Sequence, residues 1–108
     1  MGIIQPEIGH TGITEFIHIG RMAQTFHMKA IPHASISIGI FMAASLVASS
    51  ALQNVLYHEY QHSVFDRNLN YVTGDMGCAD GSYNIPTGAG LGVEPRDEVF
   101  DYVVHERA

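Results

Sequence analysis

The sequence is poor in cysteine and in positive charge. It has one cysteine, and its five lysines and arginines face eleven aspartates and glutamates, for a net charge of −6. A lone Cys78 cannot form an internal disulfide bond, which indicates a reducing, cytoplasmic location. An acidic chain has no electrostatic attraction to a phosphate backbone, so we expect no nucleic-acid partner.

Charged residues are also absent from Ala34 to Tyr57. This run contains five serines and is interrupted by Gln53 and Asn54. A bilayer span needs about 20 predominantly apolar residues, so we expect no membrane segment here. The N-terminus has no basic region followed by an apolar run, and we expect no signal peptide.

Three polar residues follow short apolar runs at a regular interval. Glu7, His33 and Glu59 are spaced 26 residues apart. A strand, a helix and two turns need about that many residues, so the spacing predicts consecutive β/α units in one parallel sheet. Neighbouring strands lie about 4.8 Å apart, which would bring the three strand ends within roughly 10 Å. Parallel α/β folds place their chemistry at this rim.

The chain divides into a periodic part and a glycine-rich part. Apolar patterns predict strands at 2–7, 29–33 and 54–60 and helices at about 13–28 and 36–52, the first capped by Thr11 or Thr14. The second helix is apolar almost all round and should be covered on more than one side. Residues 1–62 would form the β/α units, and 63–108 an irregular tail that ends in a helix at about 97–104.

Residues His58 to His62 read HEYQH and match the HExxH pattern. On a helix the two histidines could bind zinc, with Glu59 as the base for a bound water, as in a zinc metallohydrolase. The neighbours Val55, Tyr57 and Tyr60 favour a strand instead. On a strand the two histidines would stand about 13 Å apart, too far to share one ion.

The candidate catalytic groups each have a structural alternative. His33 could be a satisfied strand-end residue, but a carboxylate such as Glu7 beside it would fix its tautomer and raise its basicity, as a general base requires. Glu59 could be a solvated charge or, if protonated, a hydrogen-bond donor to a developing enolate. The remaining histidines are expected at the surface or at helix ends: His10, His18, His27 and His105.

Four ordered segments resemble the C-terminal part of the mandelate racemase and muconate-lactonizing branch of the enolase superfamily: IIQPEIGHTGITE, AIPHAS, LYHEY and YNIPTGAGLGVEP. The resemblance implies an α/β fold, the last β/α units of a TIM-type (β/α)7β barrel, which would be incomplete within this chain. It implies that His33 is the base or acid of the seventh strand and Glu7 its carboxylate partner. Glu59 would be the eighth-strand glutamate that hydrogen-bonds the substrate or enolate.

The resemblance also implies a reaction, a cofactor and partners. The family includes racemases, dehydratases and cycloisomerases that abstract a proton alpha to the carboxylate of a hydroxy acid or sugar acid, with Mg²⁺ and as homo-oligomers. Its metal ligands and capping domain would lie before Met1, so we expect no metal ligand in this chain and no activity from the chain alone. A non-catalytic remnant or interaction module is the alternative.

Three positions depart from the family pattern. Glu7 stands where the family usually has aspartate, which gives the dyad a longer side chain. The turn HTGIT has one glycine fewer than the common GGIT form. Ala89 replaces the usual proline of the PGLG stretch.

Overall fold

The computed structural model describes residues 1–34 and 39–104. Two β/α units come first, and a helix, a hairpin and a 3₁₀ helix follow. The elements are β1 (Ile3–Ile4), α1 (Ile8–Thr25), β2 (Lys29–Ala30), α2 (Gly39–Ser50), α3 (His62–Asn68), β3 (Cys78–Ala79) and β4 (Ser82–Tyr83), with 3₁₀ helices at Leu69–Tyr71 and Asp97–Tyr102. The predicted α/β arrangement of an incomplete barrel is confirmed.

The sheet has the predicted parallel order, with β2 in the middle. Ile4 pairs with Ala30 on one side, and Ala30 pairs with Val55 on the other, both parallel. The regular ladder is shorter than the predicted strands because Pro6 and Pro32 have no N–H group to donate. Backbone hydrogen bonds nevertheless continue to the rim, so the three segments run side by side as far as residues 7, 33 and 59.

Helix α1 begins earlier than predicted. It starts at Ile8 and not at about residue 13, and it is kinked at Gly12, where φ is 73° and ψ is 168°. Neither predicted threonine caps its first turn; Glu7 occupies the N-cap position, and Thr11 Oγ1 donates back to the Glu7 carbonyl at 3.2 Å. The kink therefore makes the turn at 8–11 a short unit of its own, directly after Glu7.

Helix α2 packs on two sides, as its apolar composition predicted. One cluster joins it to α1 and contains Ile8, Phe16, Ala48 and Leu52. The other joins it to the tail and contains Ala34, Met42, Ala43, Leu46, Phe65, Val72 and Met76. The predicted start of this helix, at residue 36, lies outside the described residues.

The tail is more ordered than its glycine content predicted. Residues 62–71 are helical, which contradicts the prediction of an irregular segment from His62 onward. Phe65 and Val72, both almost completely buried, anchor this part against α2. Val72 also forms an antiparallel bridge with Pro95, which closes the glycine-rich loop between them. The predicted terminal helix occurs at 97–102 in the tighter 3₁₀ form.

The two longest helices are a poor match to a bilayer. Helix α2 has 12 residues and is about 18 Å long, well short of the hydrocarbon core. Helix α1 has 18 residues but carries Glu15 and Arg21. Over residues 1–34 and 39–104, no helix combines the length and the hydropathy needed to cross a membrane.

One face of the sheet is left uncovered by the helices. Side chains alternate along a strand, so Ile3 and Leu56 lie on the face opposite to Ile4, Ala30 and Val55. They are 52% and 43% exposed, whereas Ala30 is fully buried. Exposed apolar side chains next to open strand edges favour association with other chains.

We therefore predict that this 108-residue chain self-associates through the uncovered sheet face. Leu56→Glu should shift the chain to monomer in sedimentation velocity, because a charge cannot be buried there without a partner. The control Phe100→Glu changes a still more exposed apolar residue in the tail and should leave association unchanged. A dilute monomeric wild-type chain with a sharp, cooperative unfolding transition would contradict the prediction.

Candidate functional site

The rim of the sheet places the three predicted residues next to each other. His33 N–H donates to the Pro6 carbonyl at 3.0 Å, and Glu59 N–H donates to the Pro32 carbonyl at 3.3 Å. These bonds set the backbone of each residue beside the end of the neighbouring strand. Glu7 follows Pro6 directly, so all three side chains project from one edge of the sheet.

His33 and Glu7 form a short charge-assisted pair. His33 Nδ1 lies 2.6 Å from Glu7 Oε2, and the carboxylate is only 15% exposed whereas the imidazole is 41% exposed. A carboxylate accepts, so Nδ1–H donates, which fixes the tautomer and leaves Nε2 able to accept a proton. A positioned, partly exposed imidazole nitrogen of this kind can act as a general base.

A second histidine contacts the same carboxylate. His10 Nε2 lies 3.3 Å from Glu7 Oε1, across the first turn of α1. The expectation of an exposed His10 is correct, but its contact with Glu7 was missed. The i, i+3 spacing of the two residues was the available signal, but it depends on a helix that starts at Ile8.

Glu59 approaches the imidazole from its other nitrogen. Its Oε2 accepts from the Ala34 N–H at 2.6 Å and lies 3.6 Å from His33 Nε2. Its Oε1 accepts from Gln61 Nε2 at 3.3 Å. The carboxyl group is 29% exposed, so it is oriented by protein groups and still open to a ligand at the rim.

The HEYQH segment does not have the structure that a zinc site requires. Helix α3 begins only at His62, so His58 and Glu59 lie outside any helix. Both ring nitrogens of His58 are occupied, Nδ1 by the Glu59 carbonyl at 3.0 Å and Nε2 by Ser45 Oγ at 2.8 Å. Within the described ranges 1–34 and 39–104, no group of three His, Cys, Asp or Glu side chains could hold a metal ion. The zinc alternative is therefore not supported.

The tail hairpin reaches the site through Tyr83. Its hydroxyl donates to the Glu59 carbonyl at 2.7 Å, and its ring contacts the His58 ring edge-on with 5.5 Å between centroids. Burial raises the pKa of Tyr83, so the hydroxyl keeps its proton. Tyr83 opens the YNIPTGAGLGVEP segment, but nothing in the sequence indicated its contact with Glu59. Ser45 belongs neither to a motif nor to the 26-residue spacing.

Comparison with known proteins extends over nearly the whole chain. Residues 1–99 match the family model described as enolase C-terminal domain-like. The D-galactonate dehydratase of Xanthomonas axonopodis pv. citri is 31% identical over 107 residues, which cover 93% of this chain and 28% of that enzyme.

Solved structures agree in fold as well as sequence. A candidate isomerase from Sinorhizobium meliloti, in an open loop conformation, is 55% identical with a TM-score of 0.90. The alignment covers 94% of this chain and 27% of the S. meliloti chain. An enolase-superfamily member from Agrobacterium tumefaciens is 48% identical with a TM-score of 0.89, covering 94% and 26%. The chain thus spans about a quarter of the length of the relatives it matches.

The buried His58 gives a prediction on stability and pH. Desolvation lowers the pKa of His58 below its ordinary value of 6.5. Between the lowered value and 6.5 the unfolded chain binds a proton that the folded chain excludes, so the free energy of unfolding rises with pH in this window. The contribution is complete above about pH 6.5 and is lost as the pH falls through the folded-state pKa.

Urea unfolding at about pH 5 and about pH 7.5, in the monomeric Leu56→Glu background, should show this difference. His58→Asn should reduce it, because the titrating group is gone. His18→Asn, at an exposed site on α1, serves as the control and should preserve the difference. Equal pH dependence in wild type and His58→Asn would show that His58 is not the group responsible.

Proposed function

The chain belongs to the enolase C-terminal domain-like family, and from this premise we propose that it supplies the proton-transfer residues of a dehydratase or isomerase acting on a carboxylate substrate. The observation that carries the proposal is the 2.6 Å contact between His33 Nδ1 and Glu7 Oε2. A surface histidine needs no such partner. A general base does, because the carboxylate stabilises the imidazolium that forms when the base takes a proton.

His33 is the proposed base. Its Nε2 takes the proton from the carbon alpha to the substrate carboxylate: the C–H bond breaks, an N–H bond forms, and the electron pair moves into the carboxyl group as an enolate. Glu7 stays ionised and holds Nδ1–H. The same imidazolium can then give its proton to a leaving hydroxyl, which departs as water in a dehydration. A racemisation would need a second acid that protonates the carbon from the opposite face.

Glu59 is the proposed hydrogen-bonding group for the substrate. Its Oε2 lies 3.6 Å from His33 Nε2, so a substrate atom in contact with the base is also within reach of this carboxyl group. When it carries a proton, Glu59 donates to the enolate oxygen, where negative charge develops. The Ala34 N–H and Gln61 orient it for this role.

The relatives support a proposal for the substrate class. The enzyme from X. axonopodis pv. citri is named a D-galactonate dehydratase, and we propose a sugar acid or a related hydroxy acid for this chain. The glycine-rich tail at 63–108 would then belong to the site as well as to the fold, because Tyr83 contacts Glu59. We further propose a cytoplasmic location and a homo-oligomeric state for the complete enzyme.

Superfamily members generally use Mg²⁺. The described part of this chain does not fit such an ion, because it contains no group of three suitable ligands. No step above passes through a metal. We propose that Mg²⁺, where it is needed, is held by residues outside this chain.

A chimera tests the function. The segment of the X. axonopodis D-galactonate dehydratase that aligns with this chain is replaced by this chain, and dehydration of D-galactonate and exchange of its alpha hydrogen in D₂O are measured. His33→Ala should lower both rates by about 10²–10⁴-fold, the usual contribution of a general base. Glu7→Gln should lower them less, since the base remains. His18→Ala, remote from the rim on α1, is the control.

Two results would count against the proposal. Full turnover by the His33→Ala chimera would remove His33 from the reaction. A chimera that folds normally by circular dichroism and gel filtration but exchanges no hydrogen would favour the alternative of a non-catalytic module.

A further inference from the structure

Both peptide groups that flank the Cα atom of Glu59 are held in place. On the N-terminal side, Glu59 N–H donates to the Pro32 carbonyl at 3.3 Å. On the C-terminal side, the Glu59 carbonyl accepts from Tyr83 OH at 2.7 Å and from His58 Nδ1 at 3.0 Å. With both peptide planes fixed, the direction of the Cα–Cβ bond is fixed, and only side-chain rotations remain free.

We propose that Ser45, His58 and Tyr83 form a carbonyl clamp, a set of positioning residues that holds the Glu59 backbone so that its carboxyl group faces His33. The clamp residues come from three parts of the chain. Ser45 lies on α2, His58 lies between Val55 and α3, and Tyr83 lies on β4 of the tail hairpin. None of the three touches the reacting atoms. Each acts through the main chain of Glu59.

The chemistry of the clamp allows only one arrangement of protons. A carbonyl oxygen can only accept, so His58 Nδ1 must carry the hydrogen that it shares with Glu59. Burial keeps the imidazole neutral, so Nε2 is an acceptor and the buried Ser45 hydroxyl donates to it at 2.8 Å. The result is a directed chain from Ser45 through His58 to the Glu59 carbonyl, where the Tyr83 hydroxyl also donates.

Aromatic packing holds the hairpin end of the clamp. The Tyr83 ring contacts His58, Tyr60 and Phe65 edge-on, with centroids 5.5 to 5.9 Å apart. Phe65 belongs to the core beneath α2. The hydroxyl of Tyr83 is thus delivered to Glu59 from a rigid support, although it comes from a glycine-rich segment 24 residues along the chain.

The structural test is NMR on the chain in the monomeric Leu56→Glu background. At pH 7, long-range ¹H–¹⁵N correlations should show His58 as the neutral Nδ1–H tautomer. Tyr83→Phe removes one donor and keeps the ring, so the ¹³C resonance of the Glu59 carbonyl should move upfield. Tyr71→Phe, whose ring packs against Tyr102, is the matched control and should leave that resonance in place. An Nε2–H tautomer, or an unchanged Glu59 resonance in Tyr83→Phe, would overturn the clamp.

The catalytic consequence rests on the proposed function and is tested in the chimera. Asparagine places an N–H near the position of Nδ1, whereas glutamine places its amide near Nε2. His58→Gln and Tyr83→Phe should therefore lower kcat by about tenfold and leave KM nearly unchanged. The loss should be smaller than the roughly hundredfold loss that follows a 1 Å misplacement of a catalytic group, because the other contacts to Glu59 remain. His58→Asn should recover most of the activity.

The two arms separate the possible failures. Equal losses in His58→Asn and His58→Gln, or losses that only follow thermal stability, would assign the cluster a purely structural role and overturn its positioning role. An inactive chimera with the unmodified chain would instead refute the proposed function, and the NMR arm would then decide the clamp by itself.

Discussion

Parallel pairing on both sides of β2 is the constraint on which the rest of the structure depends. Ala30 is fully buried and bonds to the third segment, donating to the Asn54 carbonyl and accepting from Leu56 N–H. Its chain neighbours Lys29 and Ile31 donate to the Gly2 and Ile4 carbonyls of the first segment. Toward the rim, Pro6 and Pro32 have no N–H group to donate. Their carbonyl groups still accept, from the N–H groups of His33 and Glu59. Each proline immediately precedes a candidate catalytic residue, so the position where the ladder ends also sets the backbone of the site.

The third segment is held differently from the first two. Glu7 and His33 follow buried prolines with restricted backbones, whereas Glu59 follows His58 and has no described strand on its outer side. Other hydrogen bonds replace the missing ladder there. The His58 and Tyr83 side chains donate to the Glu59 carbonyl, and the Ala34 N–H and the Gln61 side chain donate to its carboxylate. The HExxH match thus turns out to mark a backbone support and not a metal site.

The sequence predicted the part of the structure that repeats. The 26-residue spacing was enough to predict parallel units and the meeting of Glu7, His33 and Glu59, because strand spacing and helix length leave few other arrangements. The spacing did not predict the start of α1, because Gly12 interrupts the helical pattern of apolar residues. It also did not predict the helical stretch at 62–71, because this run of apolar residues is short and a glycine-rich segment follows it. The contacts of Ser45 and Tyr83 had no local signal, because they join residues 13 and 24 positions apart.

The kink at Gly12 divides α1 into a short first turn beside the site and a longer stretch that packs in the core. In a continuous helix, removing one residue rotates everything beyond it by about 100° and would turn Phe16 out of the core. At Gly12 the backbone leaves the helical conformation, and a Cβ at this position would point into open space. Ile8 packs in the core and Gly9 lies against Phe41, but the exposed residues between them and the kink can change while the packed face of α1 keeps its register. The side chain at position 10, which contacts Glu7, can therefore change without repacking the core.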